Sequence, residues 1–351
     1  MAPIAIACGD HSGIGPEVTL AAVAAERRGG RATDFVLVGD ATVLANIRSD
    51  LGLDLPWRTY DEPASNRAEA NARSESVRVL DPAETDSALP SPSSPDAFAL
   101  AALRYLRRSA EGCLRGEFSA LVTAPVSKER ILDTGTPFIG QTEFLAQLAG
   151  IPEATMMLLG DDDRGRWLRV ALVTTHLPLA RVPEAITEAA VVRAIRDAAV
   201  ACRRLGLARA RIGVAGLNPH AGEGGKLGDE EIRVVAPAIT AARHAGHDVH
   251  GPVSGDTLFH QALHGQFDAV VAMYHDQGLA PLKLVAFERG VNWSLGLPFV
   301  RTSPDHGTAF DIAGRGIADP SSMRAAIRLA ASLAAPKDDP SRRHGEHGEP
   351  K

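Results

Sequence analysis

Short apolar runs recur along the chain, and each closes on glycine, proline or a small polar residue. Pro3 to Cys8 is the first. A glycine-rich turn, Gly9-Asp10-His11-Ser12-Gly13-Ile14-Gly15, follows it. A helix opens at Pro16, where the fixed φ of proline suits the first helical turn. Phe35-Val36-Leu37-Val38 repeats the design and ends in Gly39-Asp40. Strand, helix, strand in this order predicts a parallel sheet and an α/β fold. Ala120–Thr123, Leu168–Val173, Arg211–Ala215 and Phe267–Met273 read as further strands. The 97–116 stretch, rich in Ala, Leu and Arg, reads as a helix, as do 184–205, 228–245, 256–265 and 320–334. Residues 62–95 are polar, with Ser and Pro clustered from Ser87 to Pro95, and read as surface loop. Residues 336–351 are charged and contain Pro and Gly, the composition of a disordered tail.

Length allows two domains or one large α/β unit, since the chain has 351 residues, 45% of them hydrophobic. Aromatic residues are only 5%, so the core rests on Ala, Val, Leu and Ile. A net charge of -6 argues against nucleic acid as the main partner, because phosphate backbones attract basic surfaces. The three cysteines, Cys8, Cys113 and Cys202, form no C-x-x-C pair. An odd, sparse set gives no disulfide framework and fits a reducing cytoplasm. Cys8 lies in an apolar run and reads as a buried filler. The N-terminus has no basic leader, and no stretch reaches about 18 apolar residues, so neither a signal peptide nor a membrane span is expected.

Candidate chemistry gathers where strands end. In parallel α/β sheets, ligands bind beyond the carboxyl ends of strands. His176, His220 and His275 lie two to five residues past three of the apolar runs, among Pro, Gly and Thr rather than in helices. Short right-handed connections would line these ends along one edge. Three neutral imidazoles suit Zn, Co, Ni or Fe and leave an open coordination position. For any one of them alone, capping or ordinary hydrogen bonding is the usual role, and spacing leaves that alternative open. His244, His247 and His250 read as a solvated helix end and loop. Gly13-Ile14-Gly15-Pro16 either offers backbone N–H groups to an anion or makes a tight turn. Gly222-Glu223-Gly224-Gly225-Lys226 fails the Walker pattern, with Leu227 after the lysine. No G-x-G-x-x-G fingerprint occurs, so a nicotinamide cofactor must be held another way.

The stretch Asp305-His306-Gly307-Thr308-Ala309-Phe310-Asp311-Ile312-Ala313-Gly314-Arg315-Gly316-Ile317-Ala318-Asp319-Pro320 resembles the cofactor loop of the isocitrate and isopropylmalate dehydrogenase superfamily. Six further motifs recur in order: Gly9-Asp10 with Gly13-Ile14-Gly15-Pro16-Glu17, Val122 to Lys128, Thr142-Glu143-Phe144, Asn218 to Glu223, Gly255-Asp256-Thr257, and Tyr274 to Gly278. Over residues 3 to 334 the chain thus resembles the 4-hydroxythreonine-4-phosphate dehydrogenase family of pyridoxal phosphate biosynthesis. The resemblance implies two α/β/α subdomains with an active-site cleft between them. Residues 1–130 plus 300–335 would form the cofactor side. Residues 131–299 would carry the metal, the substrate and the dimer contacts. It implies a homodimer with a shared active site, using NAD or NADP and one divalent ion (Zn, Co or Mg). His176, His220 and His275 would be the metal ligands, one donated across the dimer. Gln141, Thr142, Lys283, Asn292 and Arg301 would bind substrate, and His306, Gly307, Ala309 and Asp311 the cofactor. The implied reaction oxidises 4-phosphooxy-L-threonine to 2-amino-3-oxo-4-phosphooxybutanoate, which loses CO2 to give 3-amino-2-oxopropyl phosphate. The general base is open between Asp256 and Asp276, each of which also has a structural reading.

Two departures bear on the substrate. Gln141 stands where the family usually has histidine, and it keeps hydrogen bonding without charge. His11-Ser12 replaces the usual Pro-Ala in the first loop. A paralogue acting on a threonate or erythronate phosphate, or on a cyclic diol dicarboxylate, is therefore the nearest alternative. A metal-dependent hydrolase and a non-catalytic binding protein are the alternatives of other classes.

Overall fold

A computed structural model describes residues 2–30, 33–60, 77–85 and 94–335. The tail from 336 and most of the Ser/Pro cluster lie outside the described residues. One sheet of 12 strands runs through the molecule in the order β3-β4-β2-β1-β5-β12-β11-β6-β7-β10-β8-β9. The strands are β1 Ile4–Ala7, β2 Phe35–Val38, β3 Trp57–Thr59, β4 Val77–Leu80, β5 Ala120–Thr123 and β6 Thr155–Asp161. They continue as β7 Trp167–Leu172, β8 Ile212–Ala215, β9 Val249–Val253, β10 Ala269–Ala272, β11 Val291–Leu295 and β12 Val300–Pro304. The fully buried strands β1, β2, β5, β8 and β10 read as unbroken apolar runs because helices cover both faces of a parallel sheet.

Pairing divides the sheet into two parallel blocks. From β3 to β12 every neighbour is parallel, and so is every neighbour from β7 to β9. Between the blocks, β12 with β11, β11 with β6 and β6 with β7 are all antiparallel. Three reversals leave the two blocks running in opposite directions. The ends of β7, β10 and β8 therefore line one edge, as expected for the three histidines. The glycine turn after β1 and the loop after β5 belong to the opposite edge.

The helices used below are α1 Gly15–Arg28, α2 Ala41–Asp50, α3 Pro95–Leu114, α4 Lys128–Asp133, α5 Gln141–Leu148, α6 Glu188–Arg204, α7 Ala236–His244, α8 Gly255–Leu263, α9 His275–Ala286 and α10 Ser321–Ala334. Ser94 caps α3, its side chain accepting from Ala97 N, and Thr187 caps α6 in the same way. No described helix is long and apolar enough to cross a membrane.

Three expectations need correction. Val77–Leu80 is a buried strand inside the stretch read as loop. Arg78 breaks its apolar pattern, yet it is buried and paired with Asp34 at 2.5 Å. His275 is the first residue of α9 and not a loop residue. Gly278 and Pro281 hid that helix. A side chain at Gly278 would meet Val170 Cγ1 at 2.7 Å, so close packing on the sheet selects glycine there and overrides its low helix propensity. His250 lies on strand β9, exposed and 2.8 Å from Asp248, rather than in a loop. Cys8 is fully buried as expected, and burial pushes its thiol up to about 12.

Trp293 on β11 is among the largest fully buried side chains. Trp293→Ala should cost about 3–5 kcal/mol of stability, read from urea unfolding. A loss below about 1 kcal/mol would show that the central strands are not packed as described.

Candidate active site at the strand ends

A buried cation lies at the centre of the sheet. Arg301 on β12 faces Ser294 on β11, and Ser294 in turn faces Met156 on β6. Met157 faces Ala171, one residue before the end of β7. Register thus brings Arg301 level with the strand end from which the His176 loop departs. Arg301 is 2% exposed. Its Nη2 donates to Thr123 Oγ1 at 2.7 Å and to Gln141 Oε1 at 3.1 Å, and its Nη1 to Ser294 Oγ at 3.0 Å. Thr142 Oγ1 lies 3.5 Å from Nη1. Gln141 Nε2 donates to Ala124 O at 3.1 Å, which fixes the orientation of its amide. Among the described residues no carboxylate pairs with this guanidinium. Burial pulls its pKa down to about 10, with Glu143 opposing, and leaves it charged at neutral pH. A buried charge without a counter-ion is costly, and an anionic ligand relieves that cost.

Side chains two apart on a strand share a face. Arg301 and Ser303 on β12 therefore join Ser294 and Asn292 on β11 as one polar track. Beyond it, Lys283 on α9 donates to Asp305 O and pairs with Asp305 Oδ2, both at 2.7 Å. Lys283 is thus held by Asp305 and does not touch Arg301. Asn292 Oδ1 is buried without a hydrogen-bond partner. A cavity of about 880 Å³ opens beside Thr142, Glu143, Thr174 and Thr175.

Two of the three candidate histidines meet. The His176 and His275 ring centroids are 5.2 Å apart. Metal–nitrogen bonds of about 2 Å at tetrahedral angles put two ring centroids roughly 5 Å apart. Burial lowers the pKa of His176, neighbouring His275 and Lys128 add to this, and Glu143 opposes it. A lowered pKa favours the neutral imidazole that metals bind. His275 Nδ1 is 2.7 Å from Asp276 Oδ1, which orients the ring and leaves Nε2 free to face outward. His220 is not brought to this pair. Among the described residues no three His, Cys, Asp or Glu side chains are grouped to hold an ion.

His220 stands instead in a turn of left-handed backbone. His220, Ala221, Gly222, Glu223 and Gly224 have φ of 52°, 51°, 80°, 44° and 66°. Left-handed helix costs non-glycine residues roughly 1–2 kcal/mol each. Asp256 at the start of α8 is close enough for His220 to affect it. A hydrogen bond from Ser254, assisted by the His220 charge, holds the Asp256 carboxyl below its usual range. That makes Asp256 a weaker base at neutral pH. Asp276 is exposed and engaged with His275.

The loop after β12 is tied to α1. Ile14 N donates to Thr308 O at 2.9 Å, and Glu17 accepts from the backbone N–H of Gly314 and Gly316. A side chain at Gly13 would meet Thr308 O at 2.7 Å, so the glycine is required by close approach. Gly13 N donates to Asp10 O, so this stretch is a tight turn and two of its N–H groups are already used. Ala309 is left-handed at φ 43°, and Phe310 lies 3.9 Å under the Arg130 guanidinium. His306 Nδ1 is 3.0 Å from Gly307 O, while Nε2 is buried without a partner. Gly307 and Asp311 are exposed on this loop. An anchored loop with an orphaned ring nitrogen can accept a hydrogen bond from a polar ligand.

Several residues of the site carried no sequence signal of their own. Ser294 fell in no element or motif, Thr123 read as a strand end within the Val122–Lys128 motif, and only pairing shows them around Arg301. Lys128 and Glu143 lay in recognisable motifs, but their closeness to His176 depends on the fold.

The sheet and its helices define an α/β protein with a buried cation and an imidazole pair at its strand ends. Residues 31–330 match the family described as Pyridoxal phosphate biosynthetic protein PdxA. A 4-hydroxythreonine-4-phosphate dehydrogenase from Beijerinckia indica is 45% identical over 95% of this chain and 96% of its own. The crystal structure of that dehydrogenase from Klebsiella pneumoniae aligns at TM-score 0.80 and 38% identity, covering 95% of this chain and 100% of the other. A terephthalate 1,2-cis-dihydrodiol dehydrogenase from Burkholderia xenovorans aligns at TM-score 0.64 and 30% identity, covering 94% and 98%. The chain belongs to the PdxA family, whose named relatives are dehydrogenases.

The unusual His11 gives a pH prediction. Its ring stacks on Tyr105 with centroids 5.4 Å apart, and both nitrogens are buried without partners. Burial lowers its pKa below the ordinary 6.5, against the pull of Asp40, Asp10 and Asp81. The unfolded chain therefore takes up the proton first. Stability from this group is full above about 6.5 and is lost as pH falls below it. His11→Phe should flatten the fall in stability between pH 7 and 5, read as Tm against pH. An unchanged slope would remove His11 as its source.

Proposed function

We propose that this chain oxidises 4-phosphooxy-L-threonine with NAD or NADP, giving 2-amino-3-oxo-4-phosphooxybutanoate, which decarboxylates to 3-amino-2-oxopropyl phosphate. The observation that carries this reading is Arg301, a buried guanidinium held among the described residues by neutral groups of Thr123, Ser294, Gln141 and Thr142. It favours a small anion, and the named substrate of the relatives is a phosphate ester. Arg301 would bind one anionic group, with Thr142 beside it. Asn292, roughly 7 Å along the strand pair, would use its unpartnered Oδ1 on a donor of the substrate. Lys283 would take a further polar group by exchanging its contact with Asp305. Holding the substrate at separated points fixes the reacting carbon against the cofactor, an effect of orientation.

The imidazole pair fits a divalent ion, Zn, Co or Mg, by ring spacing, by the neutral state of His176 and by the orienting Asp276. His176 and His275 would hold it with His220 supplied by the partner chain of a homodimer. That arrangement accounts for His220 standing apart within one chain. Such an ion would supply charge that stabilises a developing alkoxide and polarises the ketone product. His306, Gly307, Ala309 and Asp311 would hold the nicotinamide cofactor. Asp256 and Asp276 stand as candidates for the base. Their environments suit Asp276 to orienting His275 and Asp256 to a charge near His220. The buried free thiols of Cys8, Cys113 and Cys202 support a cytoplasmic location.

A second reading has one observation behind it. Gln141 leaves the pocket with less positive charge than a histidine would, and a terephthalate dihydrodiol dehydrogenase is 30% identical. A cyclic diol dicarboxylate, or a threonate or erythronate phosphate, is then the substrate. The dehydrogenase names of the relatives favour hydride transfer over hydrolysis.

Absorbance of reduced cofactor, with 4-phosphooxy-L-threonine beside unphosphorylated and dicarboxylate diols, separates these readings. Arg301→Ala should raise KM for the phosphate substrate roughly 10- to 100-fold, the worth of a charged hydrogen bond. An unchanged KM would sink the anion role. His275→Ala should abolish turnover that chelated wild-type enzyme regains on adding Zn or Co. Full activity in the chelated variant would refute the metal site.

A further inference from the structure

His220 occupies a conformation that its own residue type disfavours, so something outside the turn must hold it there. Three of the five left-handed residues, His220, Ala221 and Glu223, carry side chains. Runs of such residues do not persist unless their surroundings over-determine them.

The surroundings converge on one carboxylate. Glu231 is 3% exposed. Its Oε1 accepts from Asn218 N at 2.7 Å, and its Oε2 accepts from Asn218 Nδ2 at 3.0 Å. Asn218 O in turn accepts from Ala221 N at 3.1 Å, inside the left-handed turn. The turn wraps closely around the same carboxylate. A side chain at Gly222 would lie 2.7 Å from Glu231 Oε2, and one at Gly216 3.0 Å from Oε1. A side chain at Gly228 would lie 2.4 Å from Asn218 Nδ2. Three glycines therefore leave room for this clamp. Glu231 opens a single π turn, Glu231–Val235, ahead of α7. Such a turn inserts a residue and re-aims what precedes it. The neighbouring Glu230 also accepts from Asn218 Nδ2, at 2.7 Å, but from a half-buried position.

We propose that Glu231 is a positioning residue: acting through Asn218, it presets the left-handed turn that presents His220. The inference rests on the reading of His220 as a metal ligand given above. It adds that His220 is held in its presenting conformation by its own chain, before an ion or a partner arrives. Negative charge in the clamp accepts two N–H groups at once. An amide of the same shape accepts at only one atom and sets its own NH2 against a donor.

The test is Co(II) binding to the purified full-length protein, followed by the visible absorption of the bound ion. Glu231→Gln should weaken Co(II) binding at least tenfold, with the Tm of the metal-free protein within a few degrees of wild type. Asn218→Ala removes the amide contacts and leaves Glu231, and it should weaken binding in the same direction. Adding Ala221→Gly to Glu231→Gln should recover part of the affinity, because glycine adopts the left-handed turn without the penalty. His220→Ala is the control. If it binds Co(II) as wild type does, the ligand reading itself is wrong. If His220→Ala is weakened while Glu231→Gln is not, the positioning role is overturned. If Glu231→Gln lowers Tm severely, the decision passes to Asn218→Ala, whose wild-type affinity would overturn the proposal. Absence of any recovery with Ala221→Gly would overturn action through the turn.

Discussion

The pairing of β12 between β5 and β11 is the contact on which the rest depends. It joins a parallel block built from the first third of the chain to strands that run the other way. Thr123 and Arg301 are 178 residues apart in sequence and 2.7 Å apart in space. The cation pocket therefore does not exist until the last strand has inserted at the centre of the sheet. α10 then closes over β12, with Thr302 Oγ1 donating to Ala326 O at 2.8 Å. Long-range closure of this kind gains its contacts only after the intervening chain has been ordered.

Unmet energetic costs recur at the candidate site and beyond it. Among the described residues Arg301 is buried without a counter-ion, Asn292 Oδ1, His306 Nε2 and both His11 nitrogens are buried without partners, and His220, standing apart, is held left-handed. Other buried charges are matched, as where Glu26 pairs with Arg324 and Arg328. Buried polar groups left unmet and strained backbone are features that a bound ligand can complete or hold. The features also divide by role. In the reading proposed above, Arg301 takes an anionic group, Asn292 Oδ1 a donor of the substrate, the imidazole pair a cation, and the tethered loop after β12 the cofactor.

How far the site was legible in the sequence differed with the range of the interaction behind it. The apolar runs of β1, β2, β5, β8 and β10 were legible because a doubly covered parallel strand needs no polar face. The strand-then-histidine pattern pointed to one edge, and β7, β10 and β8 do share it. β4 was hidden because Arg78 finds its charge partner only in the fold. α9 was hidden because Gly278 answers to the packing of Val170 and Leu172 rather than to helix propensity. β6, β11 and β12 were not read as strands, and β11 and β12 carry polar residues such as Asn292, Ser294, Arg301 and Ser303 whose partners only the fold supplies.

Local chemistry in the sequence thus determined the α/β class, the motif loops and the family to which they belong. The tertiary structure alone decided that the two blocks oppose each other, that Ser294 and Thr123 surround Arg301, and that His176 meets His275 while His220 stands apart. The physical reason is that strand register and pairing order arise from contacts between residues far apart in the chain, and no local pattern of side chains encodes them.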